Sequence, residues 1–263
     1  MDNNLFIAIG EDMITSIKEI DITFDFTTDS PNYWSGIGVD PDNASPTLQR
    51  YQKLLWSRKL PNGEMMDLKE GCGSNYLHWK NFRFGSDSIV NMYTYHKNAH
   101  IQSLLKEVKK TITNYDQFIE NYVRTGYTMG GELIFPKKGA DSINSRRGTN
   151  KLIRDRFDLT IECIRRYYKN EISPLTETLN KNKDFFDLFV DFKGYIDFFL
   201  LQDIVNQDCS ATNCYLDMAN FTRDPYPKDT TEWHTLYNKQ MEFLKKRNKR
   251  IFNYIHEADS FIK

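Results

Sequence analysis

"RFDLTIECIRRYYK" (156–169) carries two apolar rows at helical spacing. Phe157, Ile161, Ile164 and Tyr168 fall at i, i+4, i+7 and i+11, and Leu159, Cys163 and Tyr167 begin a second row beside them. A helix that is apolar on both flanks has to be covered on more than one side, so this segment is expected inside a helical layer. The polar remainder is a narrow strip of Asp158, Glu162, Arg165, Arg166 and Lys169, in which Asp158, Glu162 and Arg166 are successive i, i+4 neighbours. Opposite charges confined to such a strip predict a hydrogen-bonded network.

Toward the C-terminus the pattern stays helical, over 151–170, over 174–206 with a break near Gly194, and over 230–260 beyond the loop "FTRDPYPKD" (221–229). Toward the N-terminus the period changes. In "IKEIDITFDFT" (17–27), Ile20, Ile22, Phe24 and Phe26 alternate at period two and predict a strand. "FRFGSDSI" (82–89) predicts another strand, and "TGYTMGGELIFP" (125–136) a turn followed by a strand that Pro136 closes. Between them, "SPTLQRYQKLLWSRKL" (45–60) predicts a helix capped by Ser45 with Pro46 in its first turn, and residues 100–124 predict two short helices. The expected class is α+β: a strand-rich N-terminal half (15–136) packed against a mainly helical C-terminal half (150–262), with 1–263 as one integrated domain.

Composition agrees with a globular chain. Of its 263 residues 40% are hydrophobic and 14% aromatic, enough apolar surface to offset the entropy of ordering the backbone. The most apolar stretch (184–205) is interrupted by Asp187, Asp191, Lys193 and Asp197, which argues against a membrane span and against a membrane partner. "MDNNLFIAIGEDMITSIKEI" (1–20) lacks the basic start of a secretory signal, so cytoplasmic residence is expected. Four cysteines without paired spacing are expected as free thiols, with Cys163 in the core. A net charge of −1 excludes a globally basic nucleic-acid binder but permits a local basic patch.

That patch precedes and enters the buried helix. Between Lys137 and Lys169 there are ten Lys or Arg against four Asp or Glu. Two partners could balance the surplus: the acidic segment 181–208, or an anionic ligand. For a ligand, Arg146 and Arg147 precede Gly148, and Thr149 or Asn150 would cap the following helix so that its amide groups face an anion. Arginine's planar fork suits phosphate or carboxylate. The candidate ligand-binding residues are therefore Arg146, Arg147, Asn150, Arg154, Arg156 and Arg166, with Asp158 and Glu162 as candidate catalytic carboxylates, each a general base or a charge-orienting group. No Walker or dinucleotide-binding glycine pattern accompanies them. The sequence names neither a cofactor nor an oligomeric state, and it gives no metal site: His96 and His100 lie in a polar loop, and Cys209 and Cys214 lack a second ligand pair.

Arg250 with His256 resembles the short signature of a family of helical ribonucleases, in which the histidine transfers a proton and the arginine holds phosphate. Trp233, Tyr237, Leu244, Ile251 and Ile255 make the same segment an amphipathic helix with a wet basic face, and that reading is preferred. On a larger scale, "DFTTDSPNYW", "SPTLQRYQKLLWSRKLPNGE", "GYTMGGELIFP", "SINSRRGTN", "DRFDLTIECIRRYY" and "GYIDFFLLQD" resemble, in order, a family of bacterial and phage-borne proteins known as a domain of unknown function. The resemblance spans most of 22–255 and brings no catalytic residues. Two functional readings follow. One is a protein that handles a nucleotide, nucleic acid or other anion, as an enzyme if the carboxylates act on it. The other is a non-enzymatic binding or regulatory protein whose Arg, Asp and Glu residues form a structural ion network.

Overall fold

Ser45 and Pro46 begin the first long helix, α1 (Pro46–Trp56), and the Ser45 hydroxyl accepts the Leu48 amide at 3.0 Å. Its Leu48, Tyr51, Leu55 and Trp56 are buried. The computed structural model describes residues 17–35, 38–71, 77–90 and 98–257. After α1 come strands β1 (Lys69–Glu70), β2 (Leu77–Trp79) and β3 (Phe82–Ser88), then helices α2 (Ala99–Thr111) and α3 (Tyr115–Gly126) and strand β4 (Glu132–Pro136). The four strands form an antiparallel sheet in the order β1-β2-β3-β4, with Phe84 opposite Pro136 and Ser88 opposite Glu132.

The second half is helical: α4 (Ile143–Thr149), α5 (Phe157–Tyr168), α6 (Thr176–Lys181), α7 (Phe192–Phe198) and α8 (Thr230–Glu257), with single turns between. The architecture is thus α+β, with its strands in the first half. In α5, every residue from Phe157 to Ile164 is buried, as the double apolar row requires. One core cluster takes Trp79, Phe84 and Leu133 from the sheet together with Ile161, Phe186, Phe199, Trp233 and Ile251 from the helices.

Three expectations are corrected. Residues 17–27 form turns instead of a strand, because Asp21 Oδ1 accepts the Thr23 amide at 2.8 Å and Asp25 Oδ1 the Thr27 amide at 3.0 Å, turning the chain locally. Ile20 and Phe26 are still buried. The basic stretch 145–149 belongs to α4, with Asn150 at its C-terminal end, and α5 starts only at Phe157 behind Arg156. Thr149 and Asn150 therefore do not cap α5. Residues 174–206 break near Asn182, Val190 and Leu200, whereas Gly194 lies inside α7. Among the described residues, no helix is long and apolar enough to cross a membrane.

Candidate functional site

Neighbouring positions on a helix point about 100° apart, and in α4 this sends Arg146 and Arg147 to different surroundings. Arg147 is fully buried. Its Nη1 donates to Asp87 Oδ2 at 2.5 Å and lies 2.8 Å from Asp155 Oδ1. Its Nε donates to Thr160 Oγ1 at 3.2 Å and its Nη2 to the Asp155 carbonyl at 2.8 Å. Burial pulls the guanidinium pKa down, but Asp155 and Asp87 more than reverse it. The side chain ties β3, the loop after α4, and α5 together.

Arg156 and Asp158 are both fully buried and meet through two hydrogen bonds, Nε to Oδ1 at 2.8 Å and Nη2 to Oδ2 at 2.5 Å. Arg156 Nη1 donates to the Pro225 carbonyl at 3.0 Å, and Asp158 Oδ2 accepts the Tyr215 amide at 2.8 Å. The pair pins the 215–225 loop to the first turn of α5. Glu162 accepts from Arg165 Nε at 2.8 Å and Arg166 Nε at 2.9 Å. Arg166 also donates to the carbonyls of Ile172 at 3.1 Å and Ala219 at 2.8 Å. Burial raises the Glu162 pKa, and the hydrogen bonds from Arg165 and Arg166 more than offset this, holding it below the usual glutamate value. The expected network on α5 is therefore split into the Arg156–Asp158 pair and the separate group of Glu162 with Arg165 and Arg166. Asp158 turns to Arg156 and Tyr215 instead of joining Glu162 and Arg166.

Arg146 and Asn150 share a cleft. The Arg146 side chain is 48% exposed, with Asp141 3.9 Å away. Together with Thr149, Asn150, Ser173, Thr176 and Lys181 it lines a depression of about 640 Å3. Asn150 Oδ1 accepts the Leu152 amide at 2.8 Å and its Nδ2 donates to the Pro174 carbonyl at 3.1 Å, fixing the two walls relative to each other. Arg154, at a positive φ of 48°, lies over the Tyr226 ring with Asp224 3.7 Å from its Nη2. The segment thus divides: Arg146 and Asn150 reach the cleft, and Arg147, Arg156 and Arg166 are held by internal partners.

The acidic stretch 181–208 does not supply those partners. Its carboxylates answer neighbours at i, i+4, as in Lys183 with Asp187 at 2.5 Å and Lys193 with Asp197, while Asp203 accepts two hydrogen bonds from Arg250 at 2.9 and 3.0 Å. His256 bonds the Phe252 carbonyl through Nδ1 at 2.8 Å. Six positions on α8 put Arg250 and His256 about 120° apart around the axis, so they do not form one site. His100 Nε2 contacts the Pro227 carbonyl at 3.1 Å, and His96 and Cys72 lie outside the described residues. Cys163, Cys209 and Cys214 are free thiols, and burial pushes Cys163 up to about 12. Among the described residues, no three of His, Cys, Asp or Glu are grouped to hold a metal ion.

Two features went unread in the sequence. Arg247 is fully buried in α8 and donates to the carbonyls of Gly130 and Glu132, both at 2.9 Å, and Phe199 at 3.2 Å. Burial pushes its pKa down to about 10. The signal was available, since Leu244, Arg247, Ile251 and Ile255 share one helical face inside a run that reads as uniformly basic. The second is a carboxylate group at the edge of the sheet. Fully buried Glu132 accepts from Ser86 Oγ at 3.0 Å, Asp42 Oδ2 accepts the Ser88 amide at 3.1 Å, and Asp40 accepts from the Tyr127 hydroxyl at 3.0 Å. Burial, with Asp42 close by, raises Glu132 well above the usual glutamate range and Asp40 to about 6.

No curated protein and no solved structure matches the chain. Residues 20–251 match the family of unknown function DUF6994, and the chain belongs to that family.

Proposed function

We propose that the protein binds a phosphate-bearing anion, a nucleotide or a nucleic-acid phosphate, in the cleft lined by Arg146, Asn150 and Lys181. The observation that carries this reading is the exposed Arg146 guanidinium on a cleft of about 640 Å3, set among the hydroxyls of Thr149, Ser173 and Thr176. An arginine fork and an ammonium suit phosphate oxygens, while Thr149 and Thr176 donate their hydroxyls to the Ser145 and Ser173 carbonyls and make the walls polar. Asp141 faces both cations, 3.9 Å from Arg146 and 2.8 Å from Lys181, and holds them in place until an anion arrives.

Asp158 and Glu162, the two candidate catalytic carboxylates, are engaged by Arg156 and by Arg165 and Arg166. That engagement favours binding over turnover and gives Arg147, Arg156 and Arg166 a positioning task. Calorimetric titration with pyrophosphate tests the reading. A hydrogen bond to a charged group is worth about 1.5–3 kcal/mol, so Arg146→Ala and Lys181→Ala should each weaken binding by about tenfold or more. Pyrophosphate affinity unchanged in both variants would refute the cleft.

A further inference from the structure

The cleft adjoins a basic strip through Lys181. Lys181 lines the cleft and also a second depression of about 380 Å3, whose other cations are Lys80, Arg83, Lys137 and Lys138. Lys80, Asn81, Phe82 and Arg83 in turn line a third, of about 490 Å3, that reaches His78. Lys181 thus links the first two depressions, and residues 80–83 link the second and third. Among the described residues that line them, Lys80, Arg83, Lys137, Lys138, Arg146 and Lys181 are all exposed, against the three acids Asp141, Glu177 and Asp184 and, just outside the linings, Glu64, which pairs with Lys80. The strip is therefore positive in a chain whose net charge is −1.

Elementary geometry explains the clustering. Arg83 lies on β3 and Lys137 just beyond β4, and the Lys137 amide donates to the Arg83 carbonyl at 2.7 Å, so the antiparallel pairing sets the two cations side by side. Lys138 Nζ donates to the Lys181 carbonyl at 2.6 Å and bridges the sheet edge to α6. One ring accompanies the charges: half-buried Phe82 lines both depressions with Arg83, stacked at 6.1 Å, with planes 12° apart, on the buried Trp79. Cations that track a backbone beside a ring on which a base can stack are the two elements of single-stranded nucleic-acid binding.

We infer that the strip from Arg146 through Lys181, Lys138, Lys137 and Arg83 to Lys80 and Phe82 binds single-stranded nucleic acid. The inference rests on the phosphate reading of the cleft and gives that site its substrate class: one phosphate of a longer strand occupies the cleft, and the strip carries the rest. The nucleic-acid strand lies across the end of the sheet, at the β2–β3 turn, with a base against Phe82.

Fluorescence anisotropy with labelled oligo-uridine and oligo-thymidine of about twelve nucleotides, within the usual site sizes of such grooves, tests it beside the pyrophosphate titration. The twelve-mers should bind at least tenfold more tightly than pyrophosphate, with log affinity falling against log salt by about 0.7 per phosphate contacted. Arg83→Glu with Lys137→Glu should weaken the oligonucleotides by about tenfold or more while leaving pyrophosphate affinity unchanged. Phe82→Ala should lower oligonucleotide affinity alone. Pyrophosphate binding without tighter binding of either twelve-mer would overturn the strip and leave the cleft standing. A polyglutamate of equal length binding as tightly as the oligonucleotides would also overturn it, and loss of pyrophosphate binding itself would fall on the cleft.

Discussion

Arg156 and Asp158 are both fully buried, and each also satisfies a backbone group of a distant loop, Pro225 and Tyr215. Removing one member leaves an uncompensated charge in the interior, which costs about 3–5 kcal/mol. Arg156→Ala is expected to lower the free energy of unfolding in urea by that amount, and a change below about 1 kcal/mol would mean that the pair is not desolvated. Glu132 and Asp40 act in the opposite sense from a salt-bridged acid. Their folded pKa values are raised, Asp40 to about 6 from 3.8, so the folded chain holds protons that the unfolded chain has released. Their contribution is fully present below the unfolded pKa and is lost as pH rises through the folded one. Stability should therefore fall between about pH 4 and 6 through Asp40, and at higher pH through Glu132. Glu132→Gln keeps the shape and removes the ionisation, and its added amide can donate to Asp42 Oδ1, a buried oxygen without a hydrogen-bond partner. It should flatten that fall when unfolding is followed across the pH range, and an unchanged slope would contradict the assignment.

At the scale of elements, α1 and α5 were legible because local signals and burial agree. Ser45 caps α1, and Ser45→Ala should cost about 1 kcal/mol in thermal unfolding. The two apolar rows of α5 placed it in the core before any partner was known. Residues 17–27 were misread because alternation is blind to hydrogen-bonding partners: the Asp21/Thr23 and Asp25/Thr27 pairs satisfy their own backbone. Phe26 reaches across, its amide donating to the Tyr127 carbonyl at 2.9 Å, and Asp25 pairs with Arg124. The break at Val190 had no sequence signal at all, since a β-branched residue at φ 69° is a conformation that tertiary packing imposes. Val190 is 65% exposed, so Val190→Gly removes little contact and should raise the melting temperature by the equivalent of roughly 1 kcal/mol. A lowered melting temperature would show that the turn depends on the valine side chain.

Over the whole molecule, the surplus of basic residues in 137–169 was visible in the sequence, but its sorting was not. Arg146 and Arg147 are adjacent in sequence, and only the fold distinguishes a cleft from Asp87, which lies sixty positions away. The same holds for Arg247 with Gly130 and Asp158 with Tyr215, contacts that the topology makes and local spacing cannot reveal. The proposed division gives arginines held by internal partners, such as Arg147, Arg156 and Arg166, the task of holding layers together, and gives the cleft's Arg146 an anion. Thermal unfolding of the wild type, Arg146→Ala and Arg166→Ala, each with and without saturating pyrophosphate, tests that division most directly. Arg146→Ala should melt with the wild type and show a clearly smaller ligand-induced rise, whereas Arg166→Ala should melt lower and keep the full rise. A destabilised Arg146→Ala that gains as much stability from pyrophosphate as the wild type would contradict it.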